Sequence, residues 1–459
     1  MLFLASPYFN RQERLQTLAK HIFEDPNKEL TYEGLFEVLY RSAQPYRKQA
    51  VYDALSQLQR LLERFLGLRS FEADTSNQQS MLLQSLAKLQ AEEAFQKQWK
   101  KAQSHWQQYP YQDLAYFEGQ YALHRQASIF EATRQRRDQD AHLQKTVDFL
   151  DRSYWSARLK LACEMLNRSH ILSQPLEASE DILAYLPLSL VNEKSIRAYL
   201  LIYRALQFPD DLQPYQEWIS WLNENSQYFT ALEAIDMYNY AQNYCVRKIN
   251  QGQTSFLQNL FALFEQLTEK QLLLGQNGYM DHRKLKNMVT VGLRLKAFEW
   301  VDRFLHSYRD KLMPDFQEDA FRFNLASLCH AQEQYSEALK LLNQVEFRDV
   351  FYLLSAKSLL IRIYYETDED TALVFQFENF RLFLQRNRFV SRFQRNVHLN
   401  LLRFSRKLFR LREQRGILAD AVFAERLLKL EHQIRETADV ANSSWLLAQV
   451  ERLKAEADS

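Results

Sequence analysis

Cationic side chains crowd into one stretch, RLFLQRNRFVSRFQRNVHLNLLRFSRKLFRLREQRG, from Arg381 to Gly416. Ten arginines and one lysine face only Glu413, so this segment holds about +10 while the rest of a chain of net charge +1 holds about −9. At about 100° per residue, Arg392, Arg395, Arg403, Arg406, Lys407 and Arg410 fall within a sector of about 120°. Phe393, Val397, Leu401, Phe404, Leu408 and Leu411 take the opposite side. One helix is therefore expected to carry a basic stripe above an apolar one. The planar guanidinium fork suits carboxylates and phosphates, which it meets with paired hydrogen bonds. Three readings stay open: a stripe that is solvated or paired internally, for instance with the acidic group Glu366 to Asp370; a surface for an acidic protein segment; and, after these, a surface for nucleic acid or anionic lipid. Isolated surface ion pairs contribute less than about 1 kcal/mol each, so stability alone is a weak reason for so many arginines.

No other pattern points to a reaction. The only close glycine pair, Gly275 and Gly278 in LLLGQNGYM, reads as a helix-ending turn and not as a phosphate cradle. No two of the ten histidines stand three or four residues apart and no CxxC occurs, so metal ligation has no helical template. His21 with Glu24 reads as an ordinary surface contact. Cys329 and His330 are neighbours and diverge by about 100° on a helix, which is wrong for a nucleophile and its base. Glu366, Asp368, Glu369 and Asp370 lack the glycine and distant glutamate of a calcium loop and are better placed against the positive end of the next helix. The expectation is a non-enzyme without metal or cofactor.

The elements that must position the stripe are helices. Eight Gly and nine Pro in 459 residues leave few sites for β-turns, while 46 % hydrophobic residues, 31 Phe and 24 Tyr among them, supply a large core. Cys163, Cys245 and Cys329 sit far apart in apolar helical patterns, as small buried hydrophobes do in a reducing compartment. No apolar run approaches the roughly 20 residues of a membrane span, and the four-residue apolar run near Met1 is too short for a secretory signal, so the cytoplasm is expected.

Asn10 and Glu13 have the form of a capping box for a first helix ending near Pro26. A second helix is expected from Tyr32 to Arg41, and Pro45 is expected to open a long third one whose inner face runs through Val51, Ala54, Leu55, Leu58, Leu61, Leu62, Phe65 and Leu66. Its outer face mixes Arg47, Lys48, Arg60 and Arg64 with Asp53 and Glu63, which suits packing better than reading DNA. From about Thr75 helical patterns are separated by short breaks at Pro110, RQRRDQD, Ser173 to Pro175, Pro209 to Pro214, Gln251 to Gln253, Gly275 to Gly278 and Pro314. Leu325, Cys329, Ala338, Leu339 and Leu341 recur 34 residues later as Leu359, Ile363, Ala372, Leu373 and Phe375. That is the tetratricopeptide period, with small Ala326 and Ala338 letting helices approach, although Leu360 breaks the pattern in the second copy.

SPYFN at Ser6 to Asn10, PYRKQAVYDALSQLQRLLERFL at Pro45 to Leu66, NYCVRKINQG at Asn243 to Gly252, NGYMDHRKLKNMVTVGLRLKAFEWVDRFL at Asn277 to Leu305 and FRDVFYLLSAKSLLIRIYYET at Phe347 to Thr367 follow in an order that resembles an uncharacterised family of bacterial all-helical repeat proteins. The resemblance implies an α-solenoid, carries no activity, and implies a further helix ahead of SPYFN. The combined expectation is an all-α, tetratricopeptide-like α-solenoid of antiparallel helix pairs with an N-terminal helical module: residues 1–74 the module, 75–416 the solenoid, 417–459 capping helices. The expected function is a non-enzymatic protein–protein interaction scaffold. The alternative is a transcriptional regulator whose first 74 residues form a helix-turn-helix-like head, with FLGLRSFEA, Phe65 to Ala73, as a short wing strand.

Overall fold

The computed structural model describes the whole chain except residues 25–29, 41–43, 133–140, 170–181, 276, 345–348 and 458–459. Expected breaks at Pro26, RQRRDQD and Ser173 to Pro175 lie outside the described residues. Among those described there are 22 α-helices, three short 3-10 turns and no β-strand, only an isolated bridge between Met280 and Leu312. The chain divides into two compact units, Met1–Thr230 and Ala231–Ser459.

After a short helix at Leu2–Ala5, the first unit continues with helices Glu13–Glu24, Tyr32–Tyr40 and Lys48–Ala73, which bury Leu15, Leu18, Leu35, Phe36, Leu39, Val51 and Ala54 against one another. Local chemistry departs here from the expected starts. Asn10 makes no capping box: its Oδ1 accepts from Gln12 N at 2.9 Å and its Nδ2 donates to Leu4 O at 3.0 Å, closing a turn ahead of the helix. Pro45 does not open the third helix, which starts at Lys48 after extended Arg47. The expected wing strand does not form either, because residues 65–73 continue that helix to Ala73. Leu62 and Leu66, expected inside, are 45 % and 55 % exposed, so the apolar face of this helix is covered only along its first half.

Helices Thr75–Lys88, Glu92–Gln107 and Leu114–Ala132 enclose a second cluster around Leu83, Phe95, Trp99, Trp106, Leu123 and Phe130. Gly119 is the close-approach point: a Cβ there would lie 1.8 Å from the Trp106 ring. Helices Ala141–Ser169, Lys194–Gln207 and Gln213–Asn225 complete the unit.

The second unit is a run of helical hairpins. His282–Arg294 pairs with Phe298–Tyr308, Pro314–Ala331 with Tyr335–Asn343, and Val350–Glu366 with Asp370–Arg386. The three turns share one backbone solution. Lys296, Glu333 and Asp368 are left-handed at φ 58, 61 and 57°, and the next N–H reaches back to Gly292 O, Cys329 O and Tyr364 O at 2.8 to 3.0 Å. This is the helix-ending motif usually made with glycine, here made with long polar residues, which is why glycine counting does not reveal it.

The turns do not keep the 34-residue spacing of the sequence: Lys296 and Glu333 are 37 residues apart and Glu333 and Asp368 are 35, and past the last two turns Ala338 and Leu342 are buried where Leu373 and Phe377 are. Ala372, expected at a close contact, is only half-buried, and Phe375 is 69 % exposed. Beyond these hairpins, Arg392–Glu413, Asp420–Glu436 and Ser443–Ala457 share one apolar cluster with the two preceding helices, running from Leu354 to Leu453. Cys163, Cys245 and Cys329 are all buried.

Candidate functional site

The stripe-bearing helix, Arg392–Glu413, is well started. Ser391 accepts from Gln394 N while the Gln394 side chain caps Ser391 N, a capping box. Leu401, Phe404, Leu408 and Leu411 are buried as expected. Leu402, Ser405 and Phe409 are buried too, so the inner arc is wider than the apolar stripe, whereas Phe393 at the first turn is 61 % exposed.

The six basic residues divide into two groups. Arg403, Arg406, Lys407 and Arg410 line a groove of about 290 Å³ together with Arg381 from the preceding helix, over a floor of Leu399 and Leu402. Arg392 and Arg395 are not part of it: Arg392 is exposed at the helix start, and half-buried Arg395 donates to Asn387 O at 3.3 Å.

Within the groove, the acid supply is small. Glu378 alone among the described carboxylates pairs with these cations, at 2.5 Å from Arg406 and 3.0 Å from Arg381. The Arg381 hydrogen bond, reinforced by Arg406, holds the Glu378 carboxyl below its usual range. Arg403 bonds the Thr437 hydroxyl at 3.3 Å and Lys407 the Gln433 amide oxygen at 2.6 Å. Partial burial, together with the charges of Arg403 and Lys429, lowers the Lys407 ammonium pKa. Aromatic faces support the stems: the Arg403 guanidinium is 4.3 Å from the Phe404 ring centre and that of Arg406 is 5.5 Å from Phe377.

The acidic group at Glu366 to Asp370 does not pair with the six stripe cations. Asp368 and Asp370 both bind Arg412, which also donates to Tyr365 O at 2.6 Å and lies 4.4 Å from the Tyr365 ring centre. Arg412 belongs to the same helix but not to the groove. Glu366 is held 2.8 Å from His330 and 2.6 Å from the Trp445 indole N–H.

The basic residues of the N-terminal module do not converge. Lys48 and Arg60 are about 18 Å apart along one helix and lie on different faces. Lys48 sits over Tyr32 and Tyr52, and Arg64 over Tyr8 and Phe9. Gly275 and Gly278 do not end a helix as expected: the preceding helix stops at Glu269, with Gln271 left-handed at φ 56° and Leu272 N bonded to Leu267 O at 2.9 Å, and the glycines belong to a later turn in which Gly275 N reaches Tyr279 O at 2.8 Å. Cys329 and His330 diverge as expected, and burial raises the Cys329 thiol pKa. Among the described residues no group of three or more His, Cys, Asp or Glu could hold a metal ion, and no helix is long and apolar enough to cross a membrane.

Two arrangements escape sequence spacing because their members come from different helices. His124 and His142 meet at 3.0 Å through their Nδ1 atoms, and burial, with His142 alongside, lowers His124 to about 4. In the second unit Lys286, His330, Arg362 and His398 line a cavity of about 370 Å³. The only sequence signal for it is a set of polar residues at helical spacing, Lys286–Thr290–Arg294 and Ser355–Ser358–Arg362, each readable as solvated. No family model matches the chain, nor does any curated protein or solved structure.

Proposed function

We propose that this chain is a non-enzymatic interaction scaffold of tetratricopeptide-like type that binds an acidic segment of a protein partner in the groove of Arg381, Arg403, Arg406, Lys407 and Arg410. The observation that carries the reading is the charge imbalance there: five cations converge on a groove whose described residues offer one carboxylate. Planar arginine forks favour carboxylate ligands, and the leucine floor favours a segment that alternates acidic with apolar residues. The repeated turn chemistry of successive hairpins supports a stacked-repeat scaffold, an architecture that displays extended grooves.

The test is binding of a synthetic peptide alternating Glu with Leu or Phe to the wild type and to Arg403→Glu/Arg406→Glu/Arg410→Glu. Wild-type affinity should fall as salt rises, and the triple variant should lose at least about tenfold. Equal peptide binding by both proteins would remove the reading. A duplex or single-stranded oligonucleotide that outcompetes the peptide would transfer the groove to nucleic acid.

A further inference from the structure

The cavity beside Lys286 is built differently from the groove and is not needed by the function proposed above. It opens among four helices. His282–Arg294 contributes Lys286, with Arg294 at the rim; Pro314–Ala331 contributes His330; Val350–Glu366 contributes Arg362; Arg392–Glu413 contributes His398. Val289, Leu293, Phe323 and Leu359 form its apolar walls, and no carboxylate lines it.

Hydrogen bonding fixes the state of these groups. Arg362 Nη2 donates to His330 Nδ1 at 3.3 Å, and since a guanidinium only donates, His330 must bear its proton on Nε2, which it gives to Glu366 at 2.8 Å. Glu366 is held charged: burial would raise its pKa, but His330, Trp445 and Arg362 together lower it. Arg362 Nε and His398 Nδ1 are buried and find no hydrogen-bond partner among the described residues. Lys286 is tethered to the Ser355 hydroxyl and lies between the rings of Phe323 and Tyr352, 5.6 and 5.5 Å away. Its nearest carboxylate influence is Asp349, already bound to His282 and Arg283 at 3.1 Å. The cations therefore exceed the acids that face them, and a buried donor is left over.

We propose that this cavity binds a small organic anion, one phosphate or carboxylate group carried on a compact apolar body. The oxyanion sits between Arg362 and Lys286, where it accepts from the Nε donor and compensates two desolvated charges, and the body lies on Phe323 and Leu359. A volume of about 370 Å³ suits a ligand of one ring or similar size and excludes a folded partner. Burial holds Lys286 down to about 8, with Asp349 opposing, and burial and Lys286 hold His398 at about 4. An anion at this point should raise both values.

Isothermal titration of the full chain with phenyl phosphate, benzoate and inorganic phosphate tests the site. One-to-one binding of phenyl phosphate or benzoate, tighter than inorganic phosphate, is expected, and comparison of the two organic probes assigns the oxyanion. Lys286→Met and Arg362→Gln should each weaken it at least about tenfold. The groove variant Arg403→Glu/Arg406→Glu/Arg410→Glu should bind as the wild type does, which separates this site from the peptide groove. Should Arg362→Gln fail to fold, Lys286→Met, which removes a poorly compensated charge, carries the test. Absence of binding by all three probes at millimolar concentration, binding that survives Lys286→Met, or binding lost in the groove variant would each overturn the proposal.

Discussion

The basic groove and the Lys286 cavity both draw on helix Arg392–Glu413, yet they hold positive charge by opposite means. In the groove, Arg403, Lys407 and Arg410 remain exposed, with amide, hydroxyl or aromatic neighbours and no carboxylate of their own. In the cavity, Lys286 and Arg362 are drawn away from water, and only Glu366, through His330, answers them closely. Exposed charge is cheap to carry and easily screened; desolvated charge stays costly until a specific counter-ion arrives. The same residue types thus give a soft, adaptable surface in one place and a selective site in the other.

The sharpest way to break this comparison is to remove the counter-charge that the cavity already has. Glu366→Ala leaves His330 and the Trp445 indole without their acceptor and Arg362 without compensation, all in a setting where Glu366 is 10 % exposed. We expect a loss of about 3–5 kcal/mol in chemical denaturation. A loss below about 1 kcal/mol, the range of exposed pairs, would mean that the cavity is as well hydrated as the groove.

The next effect is a pH slope. Burial lowers folded Lys286 to about 8 from an ordinary value of 10.5, so between these values the unfolded chain binds more protons. Raising pH through that window therefore stabilises the fold, with a gain for the wild type relative to Lys286→Met of about 2–3 kcal/mol. On the acid side His398, lowered to about 4, works in the same direction over a lower window: stability present above pH about 6.5 is lost as pH falls toward 4. Parallel stability curves for wild type and Lys286→Met from pH 8 to 10.5 would show that the lysine is solvated in the folded chain.

How far each region was legible follows from where its residues come from. The groove is readable because four of its five cations recur at 3-, 4- and 7-residue spacing on one helix, and helical periodicity needs no tertiary knowledge. Even there, the sequence cannot separate Arg412, which reads as one more cation of the segment but folds back onto Asp368 and Asp370. The cavity is assembled from residues as far apart as Lys286 and His398, each unremarkable on its own helix, so only packing brings them together. Helix content was legible from scarce glycine, but turns were not, because Lys296, Glu333 and Asp368 take the left-handed conformation that residue type assigns to glycine. At the seam that the 34-residue spacing pointed to, Leu373 and not Ala372 is the buried residue.

The two alanines that the 34-residue spacing pairs give a contrast of their own. Ala338 is fully buried, so Ala338→Leu should cost about 1–3 kcal/mol by overpacking, while Ala372→Leu at a half-buried position should cost less. Equal thermal midpoints for the two variants would restore the 34-residue alignment.

The smallest stability effect belongs to the groove itself, and it is the most telling about why these arginines are there. Arg410 has no ion-pair partner among the described residues, Arg403 touches a hydroxyl, and only Arg406 meets a carboxylate, Glu378, which keeps Arg381 when Arg406 is lost. Reversing all three to Glu removes one exposed pair, relieves repulsion on Lys407, and places new acids opposite Arg381 and Lys429. These changes offset one another in high dielectric, so the thermal midpoint should move by less than about 2 °C. Arg412→Ala, on the same helix, should lower it clearly, because that guanidinium is 18 % exposed and holds Asp368, Asp370 and Tyr365 O at once. If the triple reversal destabilised as much as Arg412→Ala, the groove cations would be structural, and an acidic partner would no longer be required to explain them.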